Sequence, residues 1–394
     1  MVKISKRLMK VQESPTLSTS NKVNDLKSKG YDIISLTVGE PDFQTPEHIS
    51  NAAIEAIKQN KTNHYVATSG ILPLRQAIID YHKLHDGVTY ELNQVIVTTG
   101  AKDALYGVFQ TIIDPGDEVL IPAPYWVSYT EQVELAGGVN IIIDSSLENN
   151  FKVTVEDLES KRTEKTTALI LNSPNNPTGS IYSRVELETI GNWAVENDIL
   201  IISDEIYYNL CYNGHEAVSV ASLSEPIKNQ TIVINGVSKS YAMTGWRIGY
   251  AMGNETIIKK MTQFASHSAN PAAVSQYAAL EALTGKQEVV DDMRRIFEKR
   301  LNHFYPLLES VPGFKMIKPQ GAFYVFVNAK EAATRTGFSN VSDFSLALIE
   351  EAKVAVVSGD GFGFPDFIRI SYTLDEETLT EAVNRIKSFI ISKS

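Results

Sequence analysis

Cysteine is almost absent: Cys211 is the only one in 394 residues. An intrachain disulfide is therefore impossible, a reducing compartment is permitted, and buried filler is the role expected of this thiol. Paired-cysteine zinc patterns fall with it, and no H-E-x-x-H sequence takes their place. His82 and His85, three apart in YHKLHD beside Asp86, lack further ligands. A solvated helical face is expected there, and no metal. No G-x-S-x-G elbow supports a serine hydrolase. Residues 359–364 (GDGFGF) lack the third glycine of a dinucleotide fingerprint. No apolar run approaches the roughly 18–20 residues that span a bilayer. The N-terminus, MVKISKRLMK, carries four basic residues but no apolar core of a secretory signal. An amphipathic arm packing on the body or on a partner is the expectation, with the cytoplasm as location. Basic residues are also in deficit, 36 against 47 acidic for a net charge of -11, which argues against nucleic acid as the main partner. No internal repeat or low-complexity stretch is visible.

What remains is a chain of ordinary globular composition, 43% hydrophobic and 21% charged, long enough for two domains. From Thr45 the pattern is helical, with Thr45 as N-cap, Pro46 at the first helical position and Ile49, Ala53, Ala56 and Ile57 on one face. Strands are expected at 94–99, 118–121, 140–144, 167–171, 200–203 and 231–234. Helices are expected at 101–113, 126–136, 155–160 and 184–196, the last opened by a capping box of Ser183 and Glu186. This alternation implies βαβ units around a mostly parallel, doubly covered sheet: an α/β fold. After about Thr284 the pattern becomes a long charged helix (287–309), strands at 314–317, 322–327, 355–357 and 368–371, a helix at 343–352, and a last helix capped by Thr373 with Glu376. This reads as a smaller α+β domain.

Lys239 lies in NGVSKSYAMTGWRIGY (235–250), just after the apolar run 231–234. A strand feeding a Ser/Gly turn can hold an amine in a partly dry site, where lost solvation lowers its pKa and exposes a nucleophilic lone pair. Eight positions on, Arg247 offers a planar fork suited to a phosphate. An amine beside a phosphate clamp suggests a phosphorylated aldehyde. SPNNPTG (173–179) follows the apolar run 168–171, and ILIISDEIY (199–207) puts Asp204 at the end of a buried strand. Ligands of open α/β sheets bind outside the carboxyl ends of the strands, so Asn176, Asp204 and Lys239 should converge. Read alone, Asp204 serves equally well as a turn residue and Tyr207 as core. Gly100, Ala101 and Lys102 lie where a strand meets a helix N-terminus, a setting that favours phosphate but is also commonplace packing. Arg369, between apolar neighbours in FIRISY (367–372), needs an anionic partner, either a carboxylate ligand or a structural ion pair.

With VGEPDF (38–43) and PYWVSY (124–129), these motifs stand in the order found in the class I, fold-type I, pyridoxal-phosphate-dependent aminotransferases. The chain resembles that family from about Ser14 to the last helix, and within it the subgroup Ib aspartate aminotransferases. The resemblance implies a large cofactor-binding domain (46–284) and a small domain (1–45 with 285–394), with the active site between them. It implies pyridoxal 5'-phosphate on Lys239 as a Schiff base, Lys239 as proton shuttle, and Asp204 as the anion that keeps the pyridine nitrogen protonated. It places Tyr207 and Asn176 at the cofactor's phenolic oxygen and Trp126 on its ring. Gly100, Ala101, Lys102, Ser238 and Arg247 fall around its phosphate. Tyr65 matches a tyrosine lent across a dimer interface, so a homodimer with shared active sites is implied. Arg369 and Gly39 match positions at the substrate α-carboxylate. Lys102 matches one for a distal carboxylate, and Thr16 a helper on the N-terminal segment.

Amino acids and 2-oxoacids are thus the implied partners, aspartate and glutamate leading, with transamination in two half-reactions. Around Tyr65 the chain reads HYVATSG (64–70), without the prolines of some relatives, and a prephenate or aromatic preference stays open. So does a β-lyase or decarboxylase on the same scaffold, because fold does not fix reaction type. A non-catalytic sensor is the reading from another class, but the chain has no extra basic helix-turn-helix segment.

Overall fold

The computed structural model describes residues 3–11 and 15–393, without the side chains of Pro15 and Thr16. Seven strands form the main sheet, in the order Val95–Thr98, Gly249–Met252, Thr231–Gly236, Leu200–Asp204, Thr166–Asn172, Glu118–Pro122, Val139–Ile143. All pairings are parallel except those of Gly249–Met252, which runs antiparallel to both neighbours. The central strands are buried on both faces, which is why they read as continuous apolar runs. One face packs on Leu105, Phe109, Ile121 and Ile234, the other on Leu74, Ile78, Val97 and Tyr250. The register aligns strand ends: Asn172 stands opposite Asp204, Asp204 opposite Ile234, and Gly236 opposite Gly249.

A second, four-stranded antiparallel sheet has the order Val357–Ser358, Phe367–Ser371, Tyr324–Asn328, Lys315–Met316. Helices Glu288–Glu309, Val341–Glu350 and Glu376–Lys393 share a core with this region through Phe297, Phe304, Leu348 and Ile386. The N-terminal segment reaches it by pairing Ile34–Ser35 with Val354–Ala355. No helix among the described residues is long and apolar enough to cross a membrane.

Several local expectations are corrected. Thr45 does not cap the helix Glu47–Lys58; its hydroxyl donates to the Ala242 carbonyl and accepts from Trp246 Nε1. Thr373 does not cap the last helix: it is buried, and Asp375 accepts from the Thr378 amide instead. The strand Gly249–Met252 and helices Glu255–Ala265 and Ala273–Thr284 were not anticipated. His82 is not solvated: it is 2% exposed, bonded to Asp86 and, through Nε2, to the Tyr250 hydroxyl at 3.0 Å. His85 is exposed, and no metal-ligating cluster occurs among the described residues. Cys211 is buried and donates weakly to the Tyr208 carbonyl.

Candidate active site

The aligned strand ends open on a cavity of about 540 Å³, walled also by Gly39, Tyr324 and Arg369 from outside the main sheet. Lys239, three residues beyond the strand Thr231–Gly236, points its Nζ into this space and donates to the Gly39 carbonyl at 2.6 Å. Burial pulls its pKa down to about 8; Arg369 and Arg247 push the same way, and Glu40 and Asp204 oppose them. Roughly a tenth of the amine is therefore neutral at pH 7, far more than for an ordinary lysine.

Asp204 closes its strand at 4% exposure. Its carboxylate accepts from the Tyr129 hydroxyl at 2.6 Å and the Ile206 amide at 3.2 Å. Burial raises its pKa to about 6 against the lowering effect of those donors and of Lys239. Asn172, at the neighbouring strand end, donates to the Asp204 carbonyl and accepts from the Asn176 amide, so the two motifs brace each other. Asn176 in turn accepts from Arg369 Nη1 at 3.1 Å.

Arg369 is 2% exposed in the strand Phe367–Ser371. It donates to the Thr37 carbonyl at 2.9 Å and lies over the Tyr324 ring at 4.4 Å, while its buried Nε has no hydrogen-bond partner among the described residues. Among the described residues no carboxylate bonds it, so the structural ion pair is not seen there; the fork faces the cavity. The Tyr207 and Tyr324 hydroxyls are 3.0 Å apart, and burial holds the Tyr207 phenol far toward its neutral form.

At the other end, Gly100 precedes the helix Ala101–Ile112 with φ 85°, a backbone state glycine tolerates. A Cβ there would come 2.4 Å from Arg247 Nη2, and one at Gly249 would come 2.2 Å from the Ala101 nitrogen. Gly100 thus leaves room for the Arg247 guanidinium in a corner faced by a helix N-terminus and Ser238, and Gly249 lets its strand pack against the start of that helix. Arg247 is held by the carbonyls of Thr244 (2.9 Å) and Thr99 (3.3 Å). These donors suit a phosphate dianion. Lys102 Nζ lies 5.1 Å from the Trp126 ring; burial and Arg247 both lower its pKa. Trp126 meets Tyr129 edge-on at 5.5 Å.

Of the residues singled out in the sequence, Gly39, Ala101, Lys102, Trp126, Asn176, Asp204, Tyr207, Ser238, Lys239, Arg247 and Arg369 line one cavity, and Gly100 backs it. Tyr65 is not brought there; it is fully exposed. The Thr16 side chain lies outside the described residues, while Leu17 reaches the cavity wall. Tyr129, Asn172, Glu40 and Tyr324 are wall residues that sequence reasoning did not name. Tyr129 and Asn172 sit in or beside quoted motifs, a signal available but unused.

The family model for "Aminotransferase class I and II" matches residues 31–386. An aspartate aminotransferase of Bacillus sp. strain YM-2 is 52% identical over 388 residues, covering 98% of this chain and 99% of its own. An asparagine–oxo-acid transaminase of Streptococcus mutans is 50% identical over 391 residues, 99% of this chain and 100% of its own. Among solved structures, the Thermus thermophilus aspartate aminotransferase with maleate superposes with a TM-score of 0.93 at 39% identity, covering 99% of this chain and 100% of that one. With a matching family model over most of its length and half its residues shared with such relatives, this chain belongs to the class I and II aminotransferases.

Proposed function

We propose that the chain moves an amino group between a dicarboxylic amino acid, aspartate or glutamate, and a 2-oxoacid, in two half-reactions, with pyridoxal 5'-phosphate as cofactor. The observation that carries this is one amine, Lys239, held at 2.6 Å from the Gly39 carbonyl and with its pKa lowered to about 8, in a cavity shared with Asp204 and with Arg369, which pairs with no carboxylate among the described residues. The pocket fits the cofactor: the corner formed by the helix start at Ala101, Ser238 and Arg247, backed by Gly100, suits its phosphate. Asp204 would hold a proton on the ring nitrogen, and Asn176 and Tyr207 would bond the phenolic oxygen. Bound there, the cofactor supplies an electron sink for charge developing at the substrate α-carbon.

The chain's own residues do the rest. Lys239 anchors the cofactor and, once displaced, takes and returns the α-proton as a neutral amine. Arg369 clamps the α-carboxylate with its free edge, with the Gly39 loop as its neighbour. Lys102, with Trp126, faces the side-chain end, where a distal carboxylate gains most from a cation. The Tyr129 hydroxyl fixes the Asp204 carboxylate. A homodimer in which Tyr65 serves the other copy's phosphate corner is supported by its full exposure away from its own cavity. The division into 46–284 and 1–45 with 285–394 is likewise our reading, supported by the separation of the two sheets along the chain.

Aspartate with 2-oxoglutarate should give steady turnover in the wild type and none in Lys239→Ala, which keeps its fold by circular dichroism. Turnover in that variant at the wild-type rate refutes the assignment. Release of ammonia or carbon dioxide without an added oxoacid would mark a lyase or decarboxylase instead. The Streptococcus mutans relative makes asparagine a second donor to test beside aspartate, with prephenate as a further acceptor.

A further inference from the structure

Glu205 directly follows Asp204 and is 1% exposed, yet no step above uses it. Successive side chains at a strand end turn to opposite faces. Asp204 lines the cavity, and Glu205 is not among its lining residues. One Glu205 oxygen, Oε1, accepts three hydrogen bonds: from Ser203 Oγ at 2.8 Å, Ser219 Oγ at 3.1 Å and the Val220 amide at 3.1 Å. The Glu205 amide donates to the Ile234 carbonyl of the neighbouring strand at 2.9 Å. The clasp thus grips the residue before Asp204 and the residue after it, and ties both to the segment 219–220.

A carboxyl is an expensive group to bury, and a purely packing role is filled better by an apolar side chain. Burial, reinforced by Asp86, lifts the Glu205 carboxyl to about 8. The group therefore carries its proton near neutrality, and the clasp places no second negative charge beside Asp204. Its other oxygen, Oε2, has no hydrogen-bond partner among the described residues. The clasp is made by Oε1, as an acceptor.

Resting on the reading of Asp204 as the partner of the cofactor's ring nitrogen, we propose that Glu205 is a positioning residue, whose three-donor clasp fixes the strand end so that the Asp204 carboxylate meets that nitrogen. It acts through Asp204 and touches neither substrate nor cofactor.

Two substitutions separate this from a structural role. Glu205→Gln keeps a neutral side chain with a carbonyl acceptor; Glu205→Leu removes the acceptor at similar volume. Each variant is purified with bound pyridoxal phosphate. Four quantities are measured: the pH midpoint of its visible absorbance, the cofactor Kd, kcat and KM for aspartate, and the urea midpoint of the cofactor-free chain. In Glu205→Leu the absorbance midpoint should move, Kd should rise and kcat fall by about tenfold each, and KM should change little, as expected when a catalytic group is displaced. Glu205→Gln should restore all of these to near wild-type. If Glu205→Leu does not fold, Ser219→Ala, which removes one of the three donors, should shift the absorbance midpoint in the same direction. A lowered urea midpoint with unmoved absorbance, Kd and kcat overturns the proposal in favour of plain packing. Equal impairment of Gln and Leu variants overturns it as well. A wild type that binds no pyridoxal phosphate would defeat the functional reading itself, a result these comparisons between variants cannot produce.

Discussion

Lys239 is a buried cation in the cofactor-free chain, and its titration makes a stability statement. Folded, it releases its proton near pH 8 rather than 10.5. Between these values the unfolded chain holds a proton that the folded one has lost, so the charged amine costs stability. That cost is complete below about pH 8 and disappears as pH rises through the unfolded value. Lys239→Met should therefore stabilise cofactor-free protein at pH 7 by about 1–3 kcal/mol, at about 1.4 kcal/mol per tenfold change, discounted because the amine faces an open cavity. The gain should vanish near pH 10.5. Urea denaturation at the two pH values checks this, and a destabilised variant at pH 7 contradicts it. Arg369→Leu removes a buried fork whose Nε has no partner among the described residues; kcat/KM for aspartate should drop by about 30-fold or more, the scale of a charge pair lost from a buried site. Unchanged kcat/KM would reject the α-carboxylate role. The meeting of Asn176, Asp204 and Lys239 around one cavity was legible because each follows an apolar strand, and strand ends collect at one edge. Tyr324 was not legible: it arrives from the second sheet, and no local pattern tells which distant strand will face the cavity.

Capping shows where local rules hold and where tertiary contacts override them. Ser183 and Glu186 form the expected reciprocal box, at 3.3 and 2.6 Å, on the helix Arg184–Glu196. Thr45 and Thr373 have the right chemistry for caps, but their hydroxyls are engaged elsewhere, Thr45 with Ala242 and Trp246, Thr373 with Ser371. Ser183→Ala and Asp375→Ala should each cost about 1 kcal/mol in urea denaturation, the usual worth of an N-cap. Asp375→Ala leaving stability unchanged would show that the last helix is held by its buried face alone. The helix Ala273–Thr284 escaped sequence reading for a different reason. Its sequence, AVSQYAALEALT, is small and apolar on nearly every side, and Ser275, Gln276, Ala278, Ala279 and Ala282 are all buried, so no polar stripe marks a period. Gln276 satisfies itself there by accepting from the Ile71 amide and donating to the Pro271 carbonyl. The strand Gly249–Met252 is only four residues long and begins inside the Lys239 motif, too short for a period of two to register.

At the scale of the molecule, the chain's early residues are bound to its late ones. Arg300, 8% exposed, holds Asp42 by two bonds of 2.7 and 2.8 Å and the Thr373 carbonyl by a third, which fixes the Gly39 loop against the second sheet. No sequence window contains both ends of such a tie, so the α/β class was readable from alternation while this junction was not. Tyr65 raises the remaining question of assembly, since its exposure leaves its own cavity without it. In a two-fold dimer each site would combine one copy's Lys239 with the other copy's Tyr65. Mixing Lys239→Ala with Tyr65→Ala chains then concentrates both lesions in one site of every mixed dimer and leaves the other site intact. Random reassortment makes about half of the dimers mixed, with one good site of two, so about a quarter of the wild-type activity should return from two impaired parents. If Tyr65 served its own chain, each site would keep one lesion and nothing would return. The measurement is turnover of the two variants unfolded and refolded together, against each refolded separately, with sedimentation confirming that dimers form. Activity that fails to rise above the mean of the parents refutes the shared site.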